Sequence, residues 1–180
     1  MMIETQRLHL RKYETMDVEV LYELCKDPDV GLDCGWMPHK DIEESKFVLE
    51  NILINDSTWA IVEKDTNRLV GNISLMRQND SHLVIDDTSA EIGFWLGKPY
   101  WGKGYMPEAC LALMNYAFEE MELKTLWIQH HEHNQKSARV QAKCGFVYHH
   151  RDENKYYPLL DVYRNNVVNY MTKEMWDRCK

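Results

Sequence analysis

No run in the sequence approaches the ~20 apolar residues of a membrane span, and the opening M-M-I-E-T-Q-R-L lacks the apolar core of a signal peptide. Both features argue against a membrane or exported protein, and the cytoplasm is the expected location. Cysteine is sparse: Cys25, Cys34, Cys110, Cys144 and Cys179 are odd in number and contain no C-x-x-C pair. A disulfide framework is therefore disfavoured and reduced thiols are expected, with Cys110 and Cys144 packed in apolar surroundings. Positive charge is also short, 21 Lys and Arg against 29 Asp and Glu, a net charge of −8. That balance disfavours nonspecific nucleic-acid binding. Repeats, low-complexity tracts and an evident linker are all missing, so the 180 residues are expected to form a single domain, 1–180.

What is present reads as alternating strands and helices. R-L-H-L-R-K-Y (7–13) has period-2 alternation, and Thr15 opens a helix that Asp27-Pro28 stops. Residues 30–38 look loop-like, and Asp41 with Glu44 makes a capping-box pattern for a helix to about Ile54. Strands are predicted at 59–63, 68–75, 90–96, 125–130, 146–150 and 162–171. A helix begins at Met106 with Leu111, Met114, Phe118 and Met121 on its apolar face, and a short one covers 137–144 with Gly145 as its left-handed stop. The expected fold class is α/β (α+β), with a seven-stranded sheet.

Residues 97–106, G-K-P-Y-W-G-K-G-Y-M, join a predicted strand to a predicted helix. Strand, glycine turn and helix start together suit an anion, because glycine lets a ligand approach the backbone and the first-turn N–H groups favour negative charge. A nucleoside triphosphate is disfavoured, since Gly104 replaces the hydroxyl that would hold Mg²⁺ in a P-loop. A dinucleotide is disfavoured because Pro107 occupies the third glycine position of G-x-G-x-x-G.

A-E-I-G-F-W-L, Y-W-G-K-G-Y-M-P-E-A and H-N-Q-K-S-A-R-V-Q-A-K-C-G-F, in that order, resemble the GNAT superfamily of N-acetyltransferases, and within it the branch of ribosomal-protein N-terminal acetyltransferases. The resemblance implies a mixed, mostly antiparallel sheet flanked by helices, with acetyl-CoA as co-substrate. It implies that N–H groups from Trp101, Gly102, Lys103, Gly104, Tyr105 and Met106 cradle the CoA pyrophosphate. It further implies that the edge at Phe94, Trp95 and Leu96 pairs with the pantetheine amides. Trp101 and Met106 depart from the superfamily pattern, which has Gln or Arg and a small residue there. Asn134 and Ser137 fall at the N-x-x-S pair beside the acetyl-CoA arm, Asn134 also being a candidate helix cap. Lys143 is either a helix-dipole partner or a phosphate contact.

Acetyl transfer to an amine needs a proton acceptor and a proton for the leaving thiolate. Glu91 is the first candidate base, with a structural salt bridge or a solvated edge position as its alternative, and Asp152 and Glu153 lie where some relatives keep the base. Gln141 occupies the position of the general-acid Tyr found in many members, which leaves Ser137 as the thiolate partner. Asp33, Trp36 and Glu153 are candidate acceptor contacts. His130, His131, His133, His149 and His150 cluster in the sequence without companion carboxylates at ligand spacing, and no metal is expected. The expected acceptor is a small-molecule or peptide amine, with monomer and homodimer both open. The missing Tyr keeps a second class alive, a non-catalytic acyl-CoA-binding sensor module.

Overall fold

A computed structural model describes residues 2–179. In chain order the elements are β1 (Ile3–Glu4), β2 (Leu8–Arg11), α1 (Val18–Cys25), α2 (Pro28–Gly31), α3 (Ile42–Val48), β3 (Thr58–Glu63), β4 (Arg68–Met76), β5 (Ser89–Leu96), α4 (Tyr105–Glu119), β6 (Thr125–His131), α5 (Gln135–Lys143), β7 (Val147–Tyr157), β8 (Val162–Thr172) and α6 (Lys173–Arg178). Eight strands are present among the described residues. The strand beyond the seven expected is β1, too short for any alternation to register. The chain forms two compact units, one from residues up to Ser74 with Phe94–Ala109, the other from Leu75–Gly93 with residues from Cys110 onward.

In the first unit β1 to β4 pair antiparallel in sequence order, with Ile3 opposite Leu10, Leu10 opposite Ile61 and Ile61 opposite Gly71. Leu8 and Leu10 are fully buried, as alternation in β2 predicts. Helix α1 and the turn that follows α3 bury Leu21, Leu24, Cys25 and Leu49 with Val30 of α2 and Val62, Leu69 and Trp95. Asp17, before α1, accepts two bonds from the Arg11 guanidinium at 2.8 and 2.7 Å and one from Glu14 N at 2.9 Å.

Three local expectations change here. Asp27-Pro28 does end α1, but Pro28 at once opens α2, where its missing N–H costs nothing, and Asp27 caps that helix through Asp29 N at 3.0 Å. The stretch 30–38 therefore contains helix rather than plain loop. Asp41 caps α3 through Glu44 N at 2.8 Å, but Glu44 reaches back to Lys40 N at 2.8 Å instead of completing the box on Asp41. The helix then continues through a π-type turn over Leu49–Leu53.

In the second unit, which holds residues 89–93 of β5, the order is β5-β6-β8-β7. Strand β6 runs parallel to β5, with Glu91 opposite Trp127, and β8 runs antiparallel to both its neighbours. The sheet is thus mixed and mostly antiparallel, as expected. The apolar face of α4 is Cys110, Leu113, Met114, Ala117 and Phe118, all buried, whereas Leu111 is exposed, one position off the predicted stripe. Cys110 and Cys144 are buried, and the five cysteines are free thiols. Strand β7 runs on to Tyr157 rather than stopping at His150. Its polar composition breaks alternation and its register shifts twice, and an edge strand tolerates both. None of the described helices is long and apolar enough to cross a membrane.

Candidate active site

The glycine turn belongs to the first unit. Gly97 N donates to Val70 O at 2.9 Å, and Trp101 N donates to Lys98 O at 3.2 Å, closing a short turn over Lys98–Tyr100. Gly102 and Gly104 follow at φ +78° and +80°, a left-handed conformation in which a side chain is strained. A Cβ on Gly102 would meet nothing within 4 Å, so the glycine there serves backbone shape and close approach rather than packing. Helix α4 starts at Tyr105, one residue before the predicted Met106, and Pro107 stands in its first turn. Among the described residues, backbone pairing resumes at Glu108, whose N–H donates to Gly104 O at 3.3 Å. N–H groups at a helix start have no intrahelical acceptor and so remain available to a ligand. The Trp101 N–H, by contrast, is engaged inside the turn.

Trp101 also shows what replaces the superfamily Gln or Arg. Its indole Nε1 donates to Leu96 O at 2.7 Å, tying the turn to the end of β5 and engaging one of the carbonyls expected to face pantetheine. Trp95 is buried, while Phe94 and Leu96 are half-buried. Lys98 pairs with Asp29 at 2.6 Å, and that hydrogen bond raises the pKa of its ammonium.

Nothing in the local sequence pointed to the clamp beneath the turn. Glu108 accepts from Thr5 Oγ1 at 2.6 Å, Arg7 N at 2.8 Å and Arg7 Nε at 2.7 Å. Arg7 Nη1 donates to Lys103 O at 2.9 Å, and the guanidinium carbon lies 4.7 Å from the centre of the Tyr105 ring. Tyr105 OH donates in turn to Glu63, a bond that raises the phenol pKa. Trp36 packs into the core of this unit, edge-on to Trp95 at 6.4 Å. Asp33, two residues beyond α2, is half-buried.

In the second unit Asn134 caps α5, which starts two residues earlier than predicted, by accepting from Ser137 N at 3.0 Å. Gln141, at the family's Tyr position, is fully buried. Its Nε2 donates to Gln129 O at 3.1 Å and to Ser137 Oγ at 3.2 Å, while its Oε1 accepts from Asn169 at 2.6 Å and faces His130 Nδ1 at 3.0 Å. Ser137 Oγ is therefore an acceptor toward Gln141, which turns its own O–H outward from that contact as a donor. Lys143 is exposed in the last turn of α5.

Glu91 is 1% exposed, not a solvated edge residue. It accepts from Ser81 Oγ at 2.8 Å, His82 N at 2.7 Å and Gln129 Nε2 at 2.6 Å, with the His82 ring 3.5 Å away. Burial opposes its ionisation, but the bonds from His82, Gln129 and Ser81 outweigh it and hold the carboxyl below the usual range. Gln129 and Gln141 thus connect the two candidate catalytic residues, Glu91 and Ser137. The alternative acids make other contacts: Glu153 is exposed and paired with Arg151 at 3.0 Å, and Asp152 faces His150 at 3.1 Å. The His131 and His133 rings stack at 5.7 Å.

Residues 7–147 match the family model of the acetyltransferase (GNAT) domain. The chain is 35% identical over 147 residues to YdaF of Bacillus subtilis, covering 79% of each protein. It is 27% identical over 151 residues to the ribosomal-protein-serine acetyltransferase of Escherichia coli K12, covering 79% of this chain and 80% of that one. Among solved structures, a GNAT-family acetyltransferase from Bacillus anthracis superposes with a TM-score of 0.85 at 25% identity, over 97% of this chain and 99% of the other.

Proposed function

The chain belongs to the acetyltransferase (GNAT) family, a family of acetyl-CoA-dependent acyltransferases, and on that premise we propose that it moves the acetyl group of acetyl-CoA to a primary amine by direct attack in a ternary complex. The amine is a protein or peptide N-terminus, or a small polyamine-like or aminoglycoside-like compound; similarity to an enzyme named for a ribosomal protein supports the first. The observation that carries the reading is the pair of left-handed glycines at the start of α4, with open space over Gly102.

In this reading the N–H groups of Gly102 to Met106 hold the pyrophosphate with the helix dipole behind them. Phe94 to Leu96 take the pantetheine, with Trp101 fixing the end of that strand through its bond to Leu96 O. Asn134 and Ser137 stand beside the acetyl arm, and Lys143 contacts a phosphate. The neutral amine attacks the thioester carbon, and its proton passes to Glu91 directly or through a water. Three donors occupy Glu91, and a carboxylate has about four lone-pair sites, so one site remains for that proton path. The departing thiolate takes a hydrogen bond from Ser137, whose hydroxyl is oriented by Gln141. The whole chain acts as one domain, and Asp33, Trp36 and Glu153 are acceptor-side contacts.

The test is release of free thiol from acetyl-CoA against a panel of peptides, polyamines, aminoglycosides and amino acids. At least one amine is expected to raise the rate well above hydrolysis, with the acetylated amine recovered. Binding of acetyl-CoA with no amine-dependent release across the panel would favour the sensor module instead.

A further inference from the structure

A chain of buried and half-buried polar groups leaves Glu91 and ends on an imidazole. Gln129 Nε2 donates to Glu91 Oε1 at 2.6 Å, and Gln129 Oε1 faces both Asn166 Nδ2 at 2.5 Å and Lys155 Nζ at 3.3 Å. Asn166 Nδ2 also donates to Tyr157 OH at 2.5 Å, and Asn166 Oδ1 lies 2.9 Å from His131 Nδ1. Glu91, Asn166 and His131 are each 4% exposed or less.

Chemistry fixes the direction of every link. A carboxylate only accepts and an ammonium only donates, so Gln129 must turn its NH₂ to Glu91 and its oxygen to Lys155. That oxygen then demands a donor from Asn166, because two carbonyl oxygens cannot face each other at such a distance. Asn166 has its NH₂ committed to Gln129 and Tyr157, so its oxygen must face His131. The remaining link is closed only if His131 Nδ1 carries the hydrogen. The Tyr157 ring stands edge-on to the imidazole at 4.7 Å and the His133 ring stacks on it.

We propose that Gln129 and Asn166 are positioning residues that relay to His131 the hydrogen-bond direction set by Glu91 and Lys155, so that Nδ1 of the imidazole carries a hydrogen. The backbone carbonyl of His131 receives Asn134 N at 2.7 Å, so this ring sits at the start of the turn that leads into α5 with Asn134 and Ser137. The tautomer stands on geometry; its service to acetyl transfer rests on the function proposed above.

Long-range ¹H–¹⁵N NMR of the imidazoles in the ¹⁵N-labelled full chain at neutral pH, with His131 assigned through its backbone, reads the tautomer directly. Nδ1 is expected to carry a hydrogen, with any ring form bare at Nδ1 at least about fivefold less populated, since an unpaired buried polar group costs at least that factor. Asn166→Leu is expected to abolish the preference, and Gln129→Leu to weaken it should Asn166→Leu not fold. A wild-type ring bare at Nδ1 would overturn the proposal, as would unchanged Nδ1 protonation in either folded variant. No acetyl-CoA or amine is needed, so this result and the amine panel fail independently.

Discussion

Glu91 is a charge taken out of water and held by three donors, which gives its titration a definite sign. Its folded pKa lies below the unfolded value, about 4.3 for a Glu, so its stabilisation is complete above about pH 4.3 and is lost as pH falls through the folded value. Thermal unfolding of wild type is therefore expected to weaken more steeply than that of Glu91→Gln as pH drops from about 5 to about 3. Parallel curves would place the charge elsewhere. Ser137 carries the second prediction at this scale. A hydrogen bond to a charged sulfur is worth ~1.5–3 kcal/mol, so Ser137→Ala is expected to slow turnover by roughly tenfold or more with acetyl-CoA affinity kept. Unchanged single-turnover kinetics would leave Ser137 as a first-turn residue of α5. Glu91 and Ser137 were both legible as candidates in the sequence. Their supports, Gln129, Gln141 and Asn166, were not, because buried amides carry no pattern and meet only when β6, β8 and α5 pack.

At the scale of elements, the glycine turn was legible because all its determinants are local: two positive-φ glycines, Pro107 and the helix start. The clamp that holds it was hidden, since Arg7 and Glu108 are 101 residues apart and neither belongs to a recognisable pairing motif. The same reasoning explains the other differences. The α2 helix is set by one Asp-Pro cap too short to show periodicity, and β7 is an edge strand whose bulges erase alternation. Glu108→Ala removes the acceptor for Thr5 and for the three Arg7 groups N, Nε and Nη2. The expected loss is ~1–2 kcal/mol of stability, toward the lower end because the pair is partly solvated, together with weaker acetyl-CoA binding. Denaturant unfolding and calorimetry check the two effects, and an unaltered affinity in the folded variant would detach the clamp from the turn.

Across the whole molecule the acids are concentrated in residues 1–60, where they outnumber the bases about two to one, while 97–107 and 134–146 hold Lys98, Lys103, Lys136, Arg139 and Lys143 and no acid. This asymmetry suits a cationic amine and an anionic co-substrate. The acids to test are Asp33, Glu43 and Asp29, which pairs with Lys98. Cationic peptides are expected to show higher kcat/KM than matched anionic ones, with the gap shrinking as salt shortens the Debye length below ~8 Å. Equal values at both salts would remove the steering and leave the chemistry intact. The family was legible across most of the chain because two ordered motifs announce it. The acceptor was not, because short helices and loops such as 28–40 carry no comparable signature. The most direct measurement compares wild type, Gly104→Val and Glu91→Gln for acetyl-CoA affinity and amine-dependent turnover in the same preparation. Gly104→Val is expected to lose most of the binding, and with it the ~2.7 kcal/mol of stabilisation that a ligand at about 100 times its Kd confers. Glu91→Gln is expected to bind normally and turn over about 10²–10⁴-fold more slowly. Wild-type affinity in folded Gly104→Val, or a wild-type rate in Glu91→Gln, would contradict the account.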